Sequence, residues 1–298
     1  MTVLITGGTG LIGTRLTTLL LRGGHKVRHL SRRPNADAPV PTYGWNPTAG
    51  EMDERALDGV DALVHLAGAG VADGRWTDRR KRIIVDSRVE TAKLLHTTLQ
   101  KRHQRLRAFV SASAVGYYGG DTGDVLLPET APVGQDFLAY VSERWEAAAD
   151  LFADHSDRVV KLRIGVVLSD EGGALPRLAQ PARLGLGAPL GSGQQYLPWI
   201  HLADVARMFA FALEQEIEGI YNAVGPAPQP NDAFSRAVSE VLGRPYFLPP
   251  VPAVLMRLAL GEMAAVVLGG NRVSSEKIEA AGFRFQHPEL GGALRDLL

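Results

Sequence analysis

A chain of 298 residues, 45% hydrophobic and 21% charged, has the makeup of a globular protein, long enough for one large domain or two smaller ones. Its 32 basic and 32 acidic residues cancel, so no overall field favours nucleic acid or an anionic membrane, and without cysteine it holds no disulfide, thiolate metal site or cysteine nucleophile. The opening residues lack a basic segment followed by an apolar core and a small-residue cleavage site, which predicts a cytoplasmic protein.

In chain order, the apolar run Val3-Leu4-Ile5 predicts a strand, and an amphipathic run to Arg22 predicts a helix. A second strand ends in Ser31-Arg32-Arg33, and Thr42 to Trp45 reads as a short one. Asp61 to Gly68 is nearly continuously apolar, as in a parallel sheet covered on both faces. Asp78 to Gln100 reads as a long helix, Leu106 to Ser113 as a strand, and Gly116 to Gln135 as a loop with a turn at Pro128-Glu129-Thr130. Ala139 to Phe152 reads as a helix with Trp145, Ala148, Ala149 and Phe152 inward, and Val159 to Leu168 as one strand.

Past Asp170 glycine and proline become frequent. Helices are expected over Leu202 to Glu214 and from a cap at Asn231 or Asp232 through Leu242, with a short strand at Ile220 to Asn222 and a linker over Pro226 to Pro230. Val251 to Gly270 is the most apolar late stretch. Arg257 and Glu262 within it favour a core or interface helix, able to contribute to a homodimer, over a membrane span. The alternation of strands and helices predicts an α/β fold, a doubly wound parallel sheet of the Rossmann kind over residues 1–170. Segments around 195–225 would complete the sheet, and 171–298 would form a smaller, mostly helical lobe on the substrate side.

Between the first strand and helix, Gly7, Gly10 and Gly13 stand three apart, the dinucleotide fingerprint in its expected context. Gly7 allows the turn, Gly10 a close backbone approach to a pyrophosphate, and Gly13 close packing of helix on sheet. Gly7, Thr9, Gly10, Leu11, Ile12 and Gly13 are therefore candidate cofactor contacts, with free helix N–H groups facing the phosphates. At the end of the second strand an acidic residue would accept from a ribose 2′-hydroxyl; here stand Ser31, Arg32 and Arg33. Guanidinium forks match a 2′-phosphate, which predicts NADP(H) rather than NAD(H). His, Asp and Glu show no metal-ligand spacing, so no metal is expected.

The turn at Thr6 to Gly13, Leu66-Ala67-Gly68, and the run Ser111 to Gly119 resemble the extended short-chain dehydrogenase/reductases, which include sugar-nucleotide epimerases and dehydratases. Asp86 to Thr91, Arg163 to Leu168, Gly185 to Gly193, Pro198 to His201 and the last fifty residues resemble one subfamily, the epimerase-like oxidoreductases with a C-terminal domain of unknown function, here 245–298. The resemblance implies cofactor contacts at Leu66, Ala67 and Gly68 and a role for Arg88 at the cofactor phosphates, beside the alternative of a helix-surface arginine. It also implies a serine and a Tyr-x-x-x-Lys pair working on a small-molecule substrate. Ser113 fits the serine, and Tyr140 with Arg144 reads as Tyr-x-x-x-Arg on one helix face. Tyr117 and Tyr118 are alternative proton carriers, and His201 either lines the substrate cleft or serves packing. Two readings stand: an NADP-dependent oxidoreductase of the epimerase/dehydratase type, or an NADP-binding sensor acting through a protein partner with little catalysis. A third, division inhibition by protein contact, rests only on a label that some members of the subfamily carry.

Overall fold

The computed structural model describes all 298 residues. Strand β1 (Thr2–Thr6) sends Val3 and Ile5 into one layer and Leu4 into the other, because successive side chains point to opposite faces. Helix α1 (Leu11–Arg22) returns over the first layer with Leu16 and Leu20 inward, and β2 (Lys26–Ser31) runs parallel to β1. Strands β3 (Thr42–Asn46) and β4 (Glu51–Met52) extend that edge, β4 antiparallel. On the other side of β1 lie β5 (Ala62–His65) and β6 (Ala108–Ala114), joined by α2 (Asp78–Lys101), whose first turn is capped by the Thr77 hydroxyl.

The segment expected as a loop after β6 holds a 3₁₀ turn at Val115–Tyr118 and a strand, β7 (Asp121–Leu127). Helix α3 (Phe137–Asp150) is capped by Asp136, and β8 (Val159–Ile164) enters the sheet beside β6. The single strand expected to Leu168 breaks at Gly165, where a side chain would collide with the Pro198 carbonyl; β9 (Val166–Leu168) then leaves the main sheet. Helix α4 (Leu175–Arg183), β10 (Tyr196–Leu197) and β11 (Trp199–His201) follow, β11 pairing with β9. Helix α5 (Leu202–Glu214) packs beside α1, and β12 (Gly219–Ala223) is the outermost strand next to β8. The sheet order β4-β3-β2-β1-β5-β6-β8-β12 is parallel apart from β4 and reverses at β1. This is a doubly wound Rossmann sheet, with α1 and α5 on one face and α2 and α3 on the other.

Within the expected linker, β13 (Gln229–Pro230) pairs with β10. Helix α6 (Asn231–Val241) starts without a side-chain cap: Asn231 Oδ1 accepts from Leu190 N at 2.7 Å, and the Asp232 carboxylate takes the Tyr246 hydroxyl at 2.9 Å. Both cap assignments are thereby corrected. The stretch Val251 to Gly270 is not one helix but α7 (Ala253–Leu260), a 3₁₀ turn from Gly261 and α8 (Ala265–Leu268). Neither α7 nor α8 buries a residue fully, which overturns the core reading; Val254, Leu255 and Leu258 face solvent. Strand β14 (Gly270–Val273) pairs with β7, tying the C-terminal region to the segment after β6, and α9 (Glu276–Ala280) and α10 (Leu290–Leu297) end the chain. No helix is long and apolar enough to cross a membrane.

Candidate active site

The crevice of such a sheet opens at the carboxyl ends of the strands, where the order reverses between β1 and β5. Gly7 there has φ +69°, and a Cβ on it would lie 2.9 Å from the Leu66 carbonyl carbon. A Cβ on Gly13 would collide with the Gly7 carbonyl. Gly10 caps α1 without a side chain, so the first-turn amides at Leu11, Ile12 and Gly13 have no partner from the cap. Thr9 and Gly10 are exposed beside them. The spacing does not report a further requirement: Gly8 has no room for a Cβ because the buried His29 imidazole fills it. His29 Nε2 lies 2.8 Å from the Thr17 hydroxyl, which itself donates to Gly13 O at 2.7 Å, and burial lowers the His29 pKa.

At the end of β2, Ser31 Oγ takes the Arg33 amide at 3.1 Å, while Arg32 and Arg33 are exposed and their guanidinium groups meet no partner in the chain. Leu66 and Ala67 are held by Thr6, whose hydroxyl accepts both amides at 3.2 Å. That hydroxyl therefore donates to His65 Nδ1 at 2.9 Å. His65 is wholly buried and its pKa falls to about 4, from burial first, so it stays neutral and sends its Nε2 proton toward Arg88 O, 3.4 Å away.

Arg88 is not a surface residue. It lies under Gly68, donates to Ala69 O at 3.0 Å and Ile84 O at 2.8 Å, and stacks on Trp145 at 4.7 Å. Burial, helped by the Arg80 charge, lowers its pKa to about 10. Nη1 makes these bonds while Nη2 makes none within the chain.

The expected catalytic set does not come together. Ser113 is buried and donates to Glu146 Oε1 at 2.7 Å. Tyr140 is 46% exposed, with Arg144 stacked on its ring at 5.2 Å. Both belong to the exposed stripe of α3 that also carries Glu143, Ala147 and Asp150. The α3 residues facing the loop after β6 are Leu138 and Ser142, 3.1 and 3.7 Å from the position of a Cβ on Gly116. Two helical residues turn about 200°, so the step from Leu138 to Tyr140 moves the tyrosine to the opposite face.

What the fold does assemble is a buried polar network that spacing does not reveal. Arg163 donates Nε to Glu146 Oε1 at 2.7 Å, Nη2 to Oε2 at 2.9 Å, and Nη1 to the Tyr118 hydroxyl at 3.0 Å. Tyr118 donates to Asn222 Oδ1 at 2.6 Å, and Asn222 N donates to Glu129 Oε1 at 2.8 Å. Burial raises the Tyr118 pKa; burial also works against the charge on Arg163, but Glu146 outweighs it and holds that pKa raised. Tyr117 lies with its ring 3.4 Å over the Arg163 guanidinium, and its hydroxyl makes no hydrogen bond within the chain.

His201 caps α5: its Nδ1 accepts from Ala203 N at 3.1 Å, and its ring stacks on His287 at 3.8 Å. With Asp296 these two histidines bring ligand atoms within 4.8 Å of one another, a cluster that linear spacing conceals. Because Nδ1 accepts, the neutral ring carries its proton on Nε2. That atom lies 3.2 Å from Asp296 Oδ2 and, protonated, offers a cation no lone pair.

Residues 3–223 match the NAD dependent epimerase/dehydratase family and 251–297 a domain of unknown function (DUF1731). The epimerase family protein SDR39U1 of Bos taurus is 40% identical over 303 residues, all of both chains. The crystal structure of human SDR39U1 (isoform 2) with NADPH superposes with a TM-score of 0.89 at 36% identity, over 100% of this chain and 99% of that one. A nucleoside-diphosphate sugar epimerase from Corynebacterium glutamicum gives 0.80 at 33%, covering 99% of this chain and 57% of that one. The chain belongs to the NAD-dependent epimerase/dehydratase family, as a member that also carries a C-terminal domain of unknown function over residues 251–297.

Proposed function

We propose that the protein is an NADP(H)-dependent oxidoreductase of the sugar-nucleotide epimerase/dehydratase type, moving hydride to or from a small carbonyl or hydroxyl substrate. The observation that carries the cofactor choice is the pair Arg32 and Arg33, exposed and unpartnered at the end of β2. The solved human relative holds NADPH. The residues fit the group: uncapped α1 amides for the pyrophosphate, Arg32 and Arg33 for the 2′-phosphate, Leu66 to Gly68 as the adjoining wall. When bound, the nicotinamide supplies the hydride chemistry.

The chain's own contribution to proton transfer is assigned to Tyr117. It follows Ser113 at the carboxyl end of β6 and presents a hydroxyl that nothing in the chain engages. Arg88, through its free Nη2, takes the cationic role expected of Arg144. Ser113 orients Glu146 instead of touching substrate. One observation favours the sensor reading: Leu138 and Ser142 stand where a tyrosine and a cation would face Gly116. If the chain self-associates, the exposed Val254, Leu255 and Leu258 of α7 are the apolar surface available.

The deciding experiment incubates purified protein and NADPH, or NADP⁺, with a panel of nucleotide sugars and small carbonyl compounds. Tight NADPH binding with turnover on some member is expected. NADPH binding without turnover across the panel, together with a protein partner retained in pull-down, gives the sensor reading instead.

A further inference from the structure

Outside the dinucleotide crevice, the outer face of the α1–α5 layer carries a groove of about 560 Å³. Its floor is apolar: Leu19 and Leu20 of α1, Ala210 and Phe211 of α5, and Phe283, whose ring meets Phe211 edge-on at 5.6 Å. Arg22, Arg207 and Arg284 line it, and a neighbouring hollow of about 190 Å³ shares Arg22 and Arg207 and adds Arg15. The sole carboxylate in either lining, Glu214, lies 3.2 Å from His25. In a chain of zero net charge this is a local excess of guanidinium groups, and Arg15 and Arg22 have no hydrogen bond or ion pair to the rest of the chain.

The side of the groove formed by Arg207 and Arg284 is held in place by the chain itself. The buried Asp204 carboxylate accepts from Gln286 N at 2.8 Å, His287 N at 2.9 Å and Arg207 Nη1 at 2.8 Å, and Arg207 also donates to Arg284 O at 2.8 Å. An apolar floor of this size edged by four guanidinium groups, of which Arg207 and Arg284 are anchored within the chain and Arg15 and Arg22 are not, suits a ligand with two ends, one to leave water and one to meet cations. The groove lies along the C-terminal half of α1, beginning at Leu19, about 12 Å along the helix from Leu11, the first of the amides assigned to the pyrophosphate.

We infer that the α1–α5 groove is a second binding site, for a small amphipathic anion: an aryl or short acyl group bearing a phosphate or carboxylate. The apolar body lies on Leu19, Phe211 and Phe283, and the anionic head lies between Arg22 and Arg284, with Arg15 in reach of an extended head.

The test is calorimetric titration of NADPH-saturated protein with 1-naphthyl phosphate, 1-naphthol and inorganic phosphate. One site per chain for 1-naphthyl phosphate is expected, at least tenfold tighter than for either fragment. Arg15→Gln/Arg22→Gln removes two exposed side chains without partners; it should weaken that binding at least tenfold and leave NADPH affinity and the melting temperature unchanged. Absence of binding to the wild type overturns the assignment. So does binding that persists in the variant, which belongs to another site, and so does 1-naphthol binding as tightly as its phosphate.

Discussion

Arg163 and Glu146 close on each other in the interior through two parallel hydrogen bonds, with 1% and 6% of their side chains exposed. The pair joins β8 to α3 and also holds Ser113 and Tyr118, so it sets the carboxyl end of β6. Removing one partner of a buried ion pair strands the other without water. Glu146→Ala should cost about 3–5 kcal/mol, read as a lower urea midpoint. Replacing both by apolar residues, Glu146→Leu/Arg163→Met, should cost less than the single change, since no charge is left stranded. A double variant less stable than the single one would contradict this account of the pair.

The cofactor assignment turns on Arg32 and Arg33, which hold no partner that would compete for a phosphate. Charge-assisted hydrogen bonds contribute about 1.5–3 kcal/mol, or about ten- to a hundredfold in affinity. Arg32→Asp should weaken NADPH by that factor and leave NADH within a few-fold, measured by nucleotide fluorescence titration. An unchanged NADPH preference in the variant would remove the arginine from the site.

For proton transfer the prediction separates two tyrosines. Tyr117→Phe should lower turnover on any substrate found by about a hundredfold or more, with NADPH affinity retained. Tyr140→Phe, on the exposed stripe of α3, should leave both within twofold. The reverse pattern would return the catalytic role to Tyr140.

His65 makes stability depend on acid. Its pKa in the fold is about 4, against an ordinary value of 6.5. At pH 7.5 the ring is neutral folded or unfolded, and stability is complete. As pH falls through 6.5 the unfolded chain takes up a proton that the folded chain refuses until about 4. At pH 4.5 this costs about 2.5 kcal/mol, and His29, lowered in the same direction, adds to it. His65→Asn should flatten the pH dependence of the urea midpoint between 7.5 and 4.5. An equally steep fall in the variant would place the acid sensitivity elsewhere.

How much was legible follows the range of the interactions. The dinucleotide turn and the arginines after β2 are local signals, since strand, glycines and helix start are consecutive in the chain. The catalytic half depends on which face of α3 looks inward, and that is decided by packing. The helical spacing points Trp145, Ala148 and Ala149 inward, as the fold has them, and the same phase puts Tyr140 and Arg144 outward. Nothing near Arg88 in sequence shows the Gly68 loop closing over it, so the sequence alone does not separate a buried arginine from a surface one. The Arg163 network, the β7–β14 pairing and the break at Gly165 all need partners distant along the chain, which periodicity does not report.

Gly8 illustrates such a long-range demand and allows a clean test. It lies within the fingerprint but at none of its spaced positions, and its lack of a side chain is required by His29, held against it through Thr17. Adding a methyl group there drives Cβ into an imidazole packed on β2. Gly8→Ala should therefore cost about 1–3 kcal/mol and weaken NADPH, because the displaced turn carries the amides of α1. His29→Ala removes the obstacle and also the buried packing of the ring and its hydrogen bond to Thr17, so alone it destabilises too. In the double variant the collision is gone, and the two costs should sum to more than the measured total, a coupling of at least about 1 kcal/mol. Strict additivity in urea unfolding would mean that the turn yields elsewhere and that His29 does not dictate the glycine.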